Sequence, residues 1–145
     1  MKLKIKGFTM IELVVAMAIV FLLVAVAVVS FHDHMMRKAR AEARTALVEL
    51  SDWMRHHYMR SGSYQDATLP FDQTPRDGAA VHRLSLVAAP LQARDPDATF
   101  PAVSASTFTL RAEALNGDTC ASLLLDSSGR VGVLGESATV AECWR

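Results

Sequence analysis

Leu13 through Phe31 carries no charge and no proline, and Ser30 is its only polar residue. About 20 apolar residues cross the hydrocarbon core of a bilayer. A strand in a globular core rarely exceeds about 10 residues, so this Val- and Ala-rich run reads as helix rather than buried strand. A carboxylate, Glu12, precedes it directly, and a short basic leader, MKLKIKG, opens the chain. A charged side chain within a membrane span costs about 2.5–3.5 kcal/mol on insertion scales. A plain anchor has no use for such a group. An acid with no partner in its own apolar segment points to a partner on another copy. The competing reading is a cleaved secretory signal peptide, with small-residue cleavage sites around Ala25 and Ala27.

The segment KGFTMIEL resembles the processing site of type IV pilins and of the related pseudopilins of type II secretion. Cleavage glycine, aromatic and glutamate all stand at that family's spacing. The resemblance implies that a prepilin peptidase cuts between Gly7 and Phe8 and methylates the new amine of Phe8. The apolar segment is then kept, which gives a leader at 1–7, a transmembrane and assembly helix at 8–31, and a periplasmic globular domain at 32–145.

The chemistry of that site can be stated on its own. A new amine on Phe8 is a cation at a helix start, where the macrodipole already places about half a positive charge. Glu12 lies one turn along and can offset it within the chain, or reach the amine of a stacked neighbour. Pairing in a dry medium is favoured because either group alone would be stranded. On this reading Glu12 sets register in assembly.

The formal charge of the 145-residue chain is zero, and loss of Lys2, Lys4 and Lys6 with the leader leaves 12 basic against 15 acidic residues. That balance does not suggest a general nucleic-acid binder. Arg37, Lys38, Arg40 and Arg44 lie beyond the apolar run, so the positive-inside rule does not fix orientation. The cysteines and the resemblance put the C-terminal domain outside the cytoplasm.

The helix is expected to continue to Ser61, since no Gly or Pro occurs between Phe8 and that residue. Met36, Ala39, Ala43, Ala46, Leu47, Leu50, Met54 and His57 recur at three or four residues and form one face. Ser61-Gly62-Ser63 is the stop. Trp53, Tyr58 and Tyr64 are expected to pack under the following loop. His56 and His57, with Arg55 and Arg60, read as a solvated helix end, because adjacent helical residues point about 100° apart. From Asp66 to Pro101 the chain is loop-rich, with one strand around 81–88. The Asp95-Pro96-Asp97 triplet lacks the further oxygen ligands of a calcium loop and reads as a turn.

The last third reads as strands: 107–112, 120–125 and 130–134, with turns at Asn116-Gly117 and Ser128-Gly129. Three or four antiparallel strands against the helix give an α+β domain. Cys120 and Cys143, an even pair in an exported domain, suggest a disulfide. The ending, GDTCASLLLDSSGRVGV through ECWR, resembles minor type IV pilins, whose terminal cysteines close a disulfide-bounded region. Where many major pilins carry Gly and Pro in the apolar helix, this chain has Phe21 and Val29, which suits a subunit used in few copies.

No nucleophile–base pairing, phosphate-binding glycine loop or metal cluster is visible, so no enzyme activity and no cofactor is expected. The resemblance implies a minor pilin whose partners are other pilin subunits, the prepilin peptidase and the inner-membrane pilus assembly machinery. It acts in assembly, priming, adhesion or twitching motility and ends in the fibre at the cell surface. Two alternatives stand beside it. One is a pilin-like DNA receptor for natural transformation, which would need a basic stripe drawn from Arg76, His82, Arg83, Arg94, Arg111 or Arg130. The other is a type II secretion pseudopilin.

Overall fold

The structure is a computed structural model that describes residues 9–145, without the side chains at 27–30 and 32. The chain divides into two compact units, Met1–Met36 and Arg37–Arg145.

Helix α1 runs unbroken over Met10–Ser61. Thr9 caps its start: the Leu13 amide donates to the Thr9 carbonyl at 3.2 Å and the Glu12 amide to Thr9 Oγ1 at 3.4 Å. Its end is set by Gly62, whose φ of 73° is open to glycine and whose amide donates to the Tyr58 carbonyl at 2.8 Å. In the first unit, all the large apolar side chains of Met10–Val26 are exposed, from Val15 at 50% to Met10 at 85%. Among the described residues, no helix is long and apolar enough to cross a membrane. The membrane reading of 8–31 takes in Phe8 and side chains at 27–30, which lie outside the described residues.

In the second unit, Ala43, Ala46, Leu47, Leu50 and Met54 of α1 are buried, as their spacing requires. They join one apolar core with the inner face of a five-stranded sheet. Its strands are β1 (Gln73–Thr74), β2 (His82–Leu86), β5 (Thr109–Ala114), β6 (Ser122–Asp126) and β7 (Val131–Val133), in the order β1-β2-β5-β6-β7. All neighbours are antiparallel. Leu84, Ala112, Leu123 and Val133 stand in one row across the inner face.

The outer face is covered as well. A two-stranded hairpin, β3 (Leu91–Ala93) and β4 (Ala98–Phe100), forms a second small core from Ala93, Phe100 and Leu124. This explains why every residue of β6 is buried instead of alternate ones. Gly132 admits the Phe100 ring, whose atoms lie 2.6 Å from where a Cβ would stand. The sheet therefore has more strands than the three or four expected, and a hairpin lies in the proline-broken stretch. β1 has only two residues, too few for a pattern, and the hairpin strands have three each.

A four-residue helix, α2 (Val140–Cys143), ends the chain. Thr139 caps it in a capping box with Glu142. Asp95, in the β3–β4 turn, accepts a hydrogen bond from the Val140 amide and so ties the hairpin to α2. The disulfide joins Cys120 to Cys143, as expected.

Candidate functional site

Gly7 and Phe8, the expected processing pair, lie outside the described residues. Glu12 is exposed, one turn into α1. It forms no ion pair among the described residues, and its backbone amide donates to Thr9 Oγ1 at the helix start.

In the second unit a buried ion pair joins α1 to the disulfide-closed region. Arg40 of α1 donates through Nε to Asp118 Oδ2 at 2.7 Å and through a terminal nitrogen to Oδ1 at 2.6 Å. The Asp118 side chain is fully buried and that of Arg40 is 18% exposed. Asp118 Oδ1 also accepts the Cys120 amide at 2.9 Å, which links the ion pair to the disulfide. Burial pushes the Asp118 carboxyl up, but the Arg40 hydrogen bond, the Cys120 amide and the Arg40 charge outweigh it and hold it below the usual carboxylate value.

Beside this clamp is a groove of about 700 Å³ lined by Arg37, Arg40, Arg44 and Arg145, with Thr119, Ser137 and Glu142 among its other walls. Arg37, Arg40 and Arg44 share one helix face because they are spaced three and four apart. α2 and the disulfide bring Arg145 to them. The Glu142 carboxyl is lowered by its hydrogen bonds to Thr139. Arg44 Nε is buried with no hydrogen-bond partner among the described residues. The helix spacing of the three arginines was a readable signal, whereas the arrival of Arg145 was not.

The six residues considered for a basic stripe are not brought together. Arg76 pairs with Glu49 and lies over the Phe71 ring. Arg94 meets Glu136 at 3.9 Å, Arg111 meets Glu113 at 3.1 Å, and Arg130 meets Asp126 at 2.7 Å. Arg83 is exposed on the outer face. His82 leaves the stripe altogether: it is 2% exposed, in phase with Leu84 on the inner face. Burial lowers its pKa, the Asp118 charge raises it less, and Arg40 lowers it further.

At the far end of α1, Trp53 stacks on His57 and Tyr58 on Tyr64, with Tyr64 edge-on to Phe108. Trp53 and Tyr64 pack on the core as expected, but Tyr58 is 39% exposed. Among the described residues, no group of three or more His, Cys, Asp or Glu is placed to hold a metal ion.

A family model described as "Type IV minor pilin ComP, DNA uptake sequence receptor" matches residues 29–124, and one for the prokaryotic N-terminal methylation motif matches residues 2–29. The type IV major pilin protein PilA of Myxococcus xanthus is 28% identical over 149 aligned positions, covering 95% of this chain and 68% of PilA. Among solved structures, the non-core minor pilin PilV of Neisseria meningitidis aligns at a TM-score of 0.48 and 22% identity, covering 72% of this chain and 92% of its own. A type IV pilin of Shewanella oneidensis aligns at 0.44 and 21%, covering 76% and 98%. With more than half its length matched by the pilin model and its start by the methylation motif, this chain belongs to the ComP-type family of type IV minor pilins.

Proposed function

We propose that this chain is a minor subunit of a type IV pilus. A prepilin peptidase cuts between Gly7 and Phe8 and methylates Phe8. The apolar helix at 8–31 holds the subunit in the inner membrane, with 32–145 in the periplasm, until the assembly machinery adds it to a fibre of other pilins. Its work there is assembly and priming, with adhesion or twitching motility as the surface outcome. The observation that carries this reading is an exposed apolar helix, Met10–Val26, that holds a carboxylate unpaired among the described residues, Glu12. An apolar surface of that extent is covered in use by lipid or by other helices. The acid then needs a cation from outside its own helix. Mass spectrometry of the mature chain tests it: the protein should begin at methylated Phe8 and be found in sheared fibres. A chain that begins after Ala25 or Ala27 would remove the reading.

A second reading, capture of DNA at the cell surface, is favoured by the description of the matching family. Arg37, Arg60, Arg83 and Arg145 are exposed and form no ion pair among the described residues, which leaves them available to phosphates. Binding of duplex DNA by the full-length protein should weaken steeply with salt, as counterion release requires. A flat salt response, or normal DNA uptake in a deletion strain that has lost fibres, would sink it.

A further inference from the structure

The groove beside the disulfide holds more positive charge than its own residues balance. Counting side chains, its four arginines stand against Glu142 and the Arg40-bound Asp118. Arg44 Nε is buried and lacks a hydrogen-bond partner among the described residues. A buried donor left unpaired is costly, and an anion reaching it would remove that cost. Thr119 and Ser137 add hydroxyl groups to the same walls. In sequence, Arg37 follows the end of the apolar run by six residues. A basic cluster close to a bilayer surface that carries anionic lipid attracts its headgroups, within about a Debye length.

We propose that this groove takes the phosphate of an anionic phospholipid headgroup while the subunit waits in the membrane; the inference rests on the membrane-anchored reading of 8–31. Arginine forks match phosphate oxygens in pairs, which favours phosphate over a simple halide, and four arginines together suit the higher charge density of a phosphate. The arginines converge on one concavity walled by α2 and the disulfide. That form suits a single phosphate, whereas a nucleic-acid backbone presents a row of them. Asp118 keeps Arg40 fixed as part of the wall, so Arg37 and Arg44 are the residues that recognise the ligand. Entry into the fibre would require the lipid to leave, so occupancy of the groove marks the subunit as unassembled.

The test uses the full-length protein in nanodiscs of phosphatidylcholine mixed with phosphatidylglycerol. Retained lipid is counted by native mass spectrometry after release into detergent. The wild-type chain should retain phosphatidylglycerol in preference to phosphatidylcholine. Arg37→Gln and Arg44→Gln should each lower that preference about fivefold. Arg55→Gln, which lies outside the groove, should leave it unchanged. Arg37 is exposed, so its variant serves should Arg44→Gln fail to fold. Equal retention in wild type and variants overturns the site while leaving the anchor intact. Failure of the chain to enter nanodiscs at all overturns the anchor reading and the proposal with it. Displacement of the lipid by millimolar inorganic phosphate would assign the groove to free phosphate. Loss of duplex DNA binding in the two variants, with lipid preference unchanged, would assign it to nucleic acid; either result overturns the proposal.

Discussion

Arg40 and Asp118 are 78 residues apart and meet through two hydrogen bonds of 2.7 and 2.6 Å. This pair fastens the middle of α1 to the residue that holds the amide of Cys120. Removing one member of a buried ion pair strands the other, at about 3–5 kcal/mol. Arg40→Ala should therefore destabilise the protein by about 3 kcal/mol or more in urea unfolding. Asp118→Asn should cost less, since the amide still accepts from Cys120. A neutral Arg40→Ala would show that the pair does not clamp the helix.

The pH dependence should have two legs. His82 is buried with a lowered pKa, so below about pH 6.5 the unfolded chain takes up a proton that the folded one resists. Stability then falls until the folded histidine titrates. Asp118 and Asp126 are also lowered in the folded state, Asp126 because hydrogen bonds from Ser128 and Arg130 outweigh its burial. Their contribution is complete above about pH 4 and is lost as pH falls through the folded pKa values. His82→Gln should remove the upper leg and keep the lower one. Unfolding free energies measured across pH 3 to 8, to the nearest unit, would separate the two.

Cys120→Ser or Cys143→Ser should lower stability by about 3 kcal/mol, as for a native disulfide closing a loop of this size. Trp144, whose Nε1 donates to the Gly132 carbonyl at 3.3 Å, packs on the core next to the bond. Its fluorescence should change on reduction before α1 melts. Unchanged melting and emission in reductant would deny the bond any part in holding this end.

Gly135 lies where a Cβ would stand 2.0 Å from the Thr119 carbonyl oxygen. Backbone cannot yield as a side chain does. Gly135→Ala should cost about 3 kcal/mol, at the upper end of ordinary overpacking, and Gly132→Ala less, since its obstacle is the Phe100 ring. Equal, small effects in thermal melts would contradict the close approach of the two chain segments.

Glu12→Ala should leave membrane insertion intact or improve it, because a costly charge has gone. Incorporation into fibres should fall sharply, since a neighbour's Phe8 amine would lose its partner. Blotting membrane and sheared-fibre fractions separately reads both effects. Normal incorporation would remove Glu12 from assembly.

Much of this was legible in the chain. The five apolar positions from Ala43 to Met54 had only one periodicity to satisfy, and they are buried on α1. β2, β5, β6 and β7 fell within or beside the expected strands because turns at Gly117 and Gly129, both with positive φ, fix their limits. The β3–β4 hairpin was hidden because strands of three residues show almost no alternation. His82, one of the residues from which a basic stripe would have to be drawn, is buried on the inner face, as its phase with Leu84 requires. Strand period outweighs residue type when a sheet has one apolar face. The arginine groove was half legible, since its fourth cation arrives through α2, whose four residues carry no periodicity.

The groove's far wall is built from residues 137–145. Its near wall, on α1, lies about a hundred residues earlier in the chain. Contacts of such long sequence separation close late, after local helix and hairpins have formed. Helix and hairpins, whose contacts are local, therefore precede the groove in folding. Completion of this one concavity reports in a single place that helix, sheet and disulfide have all come together.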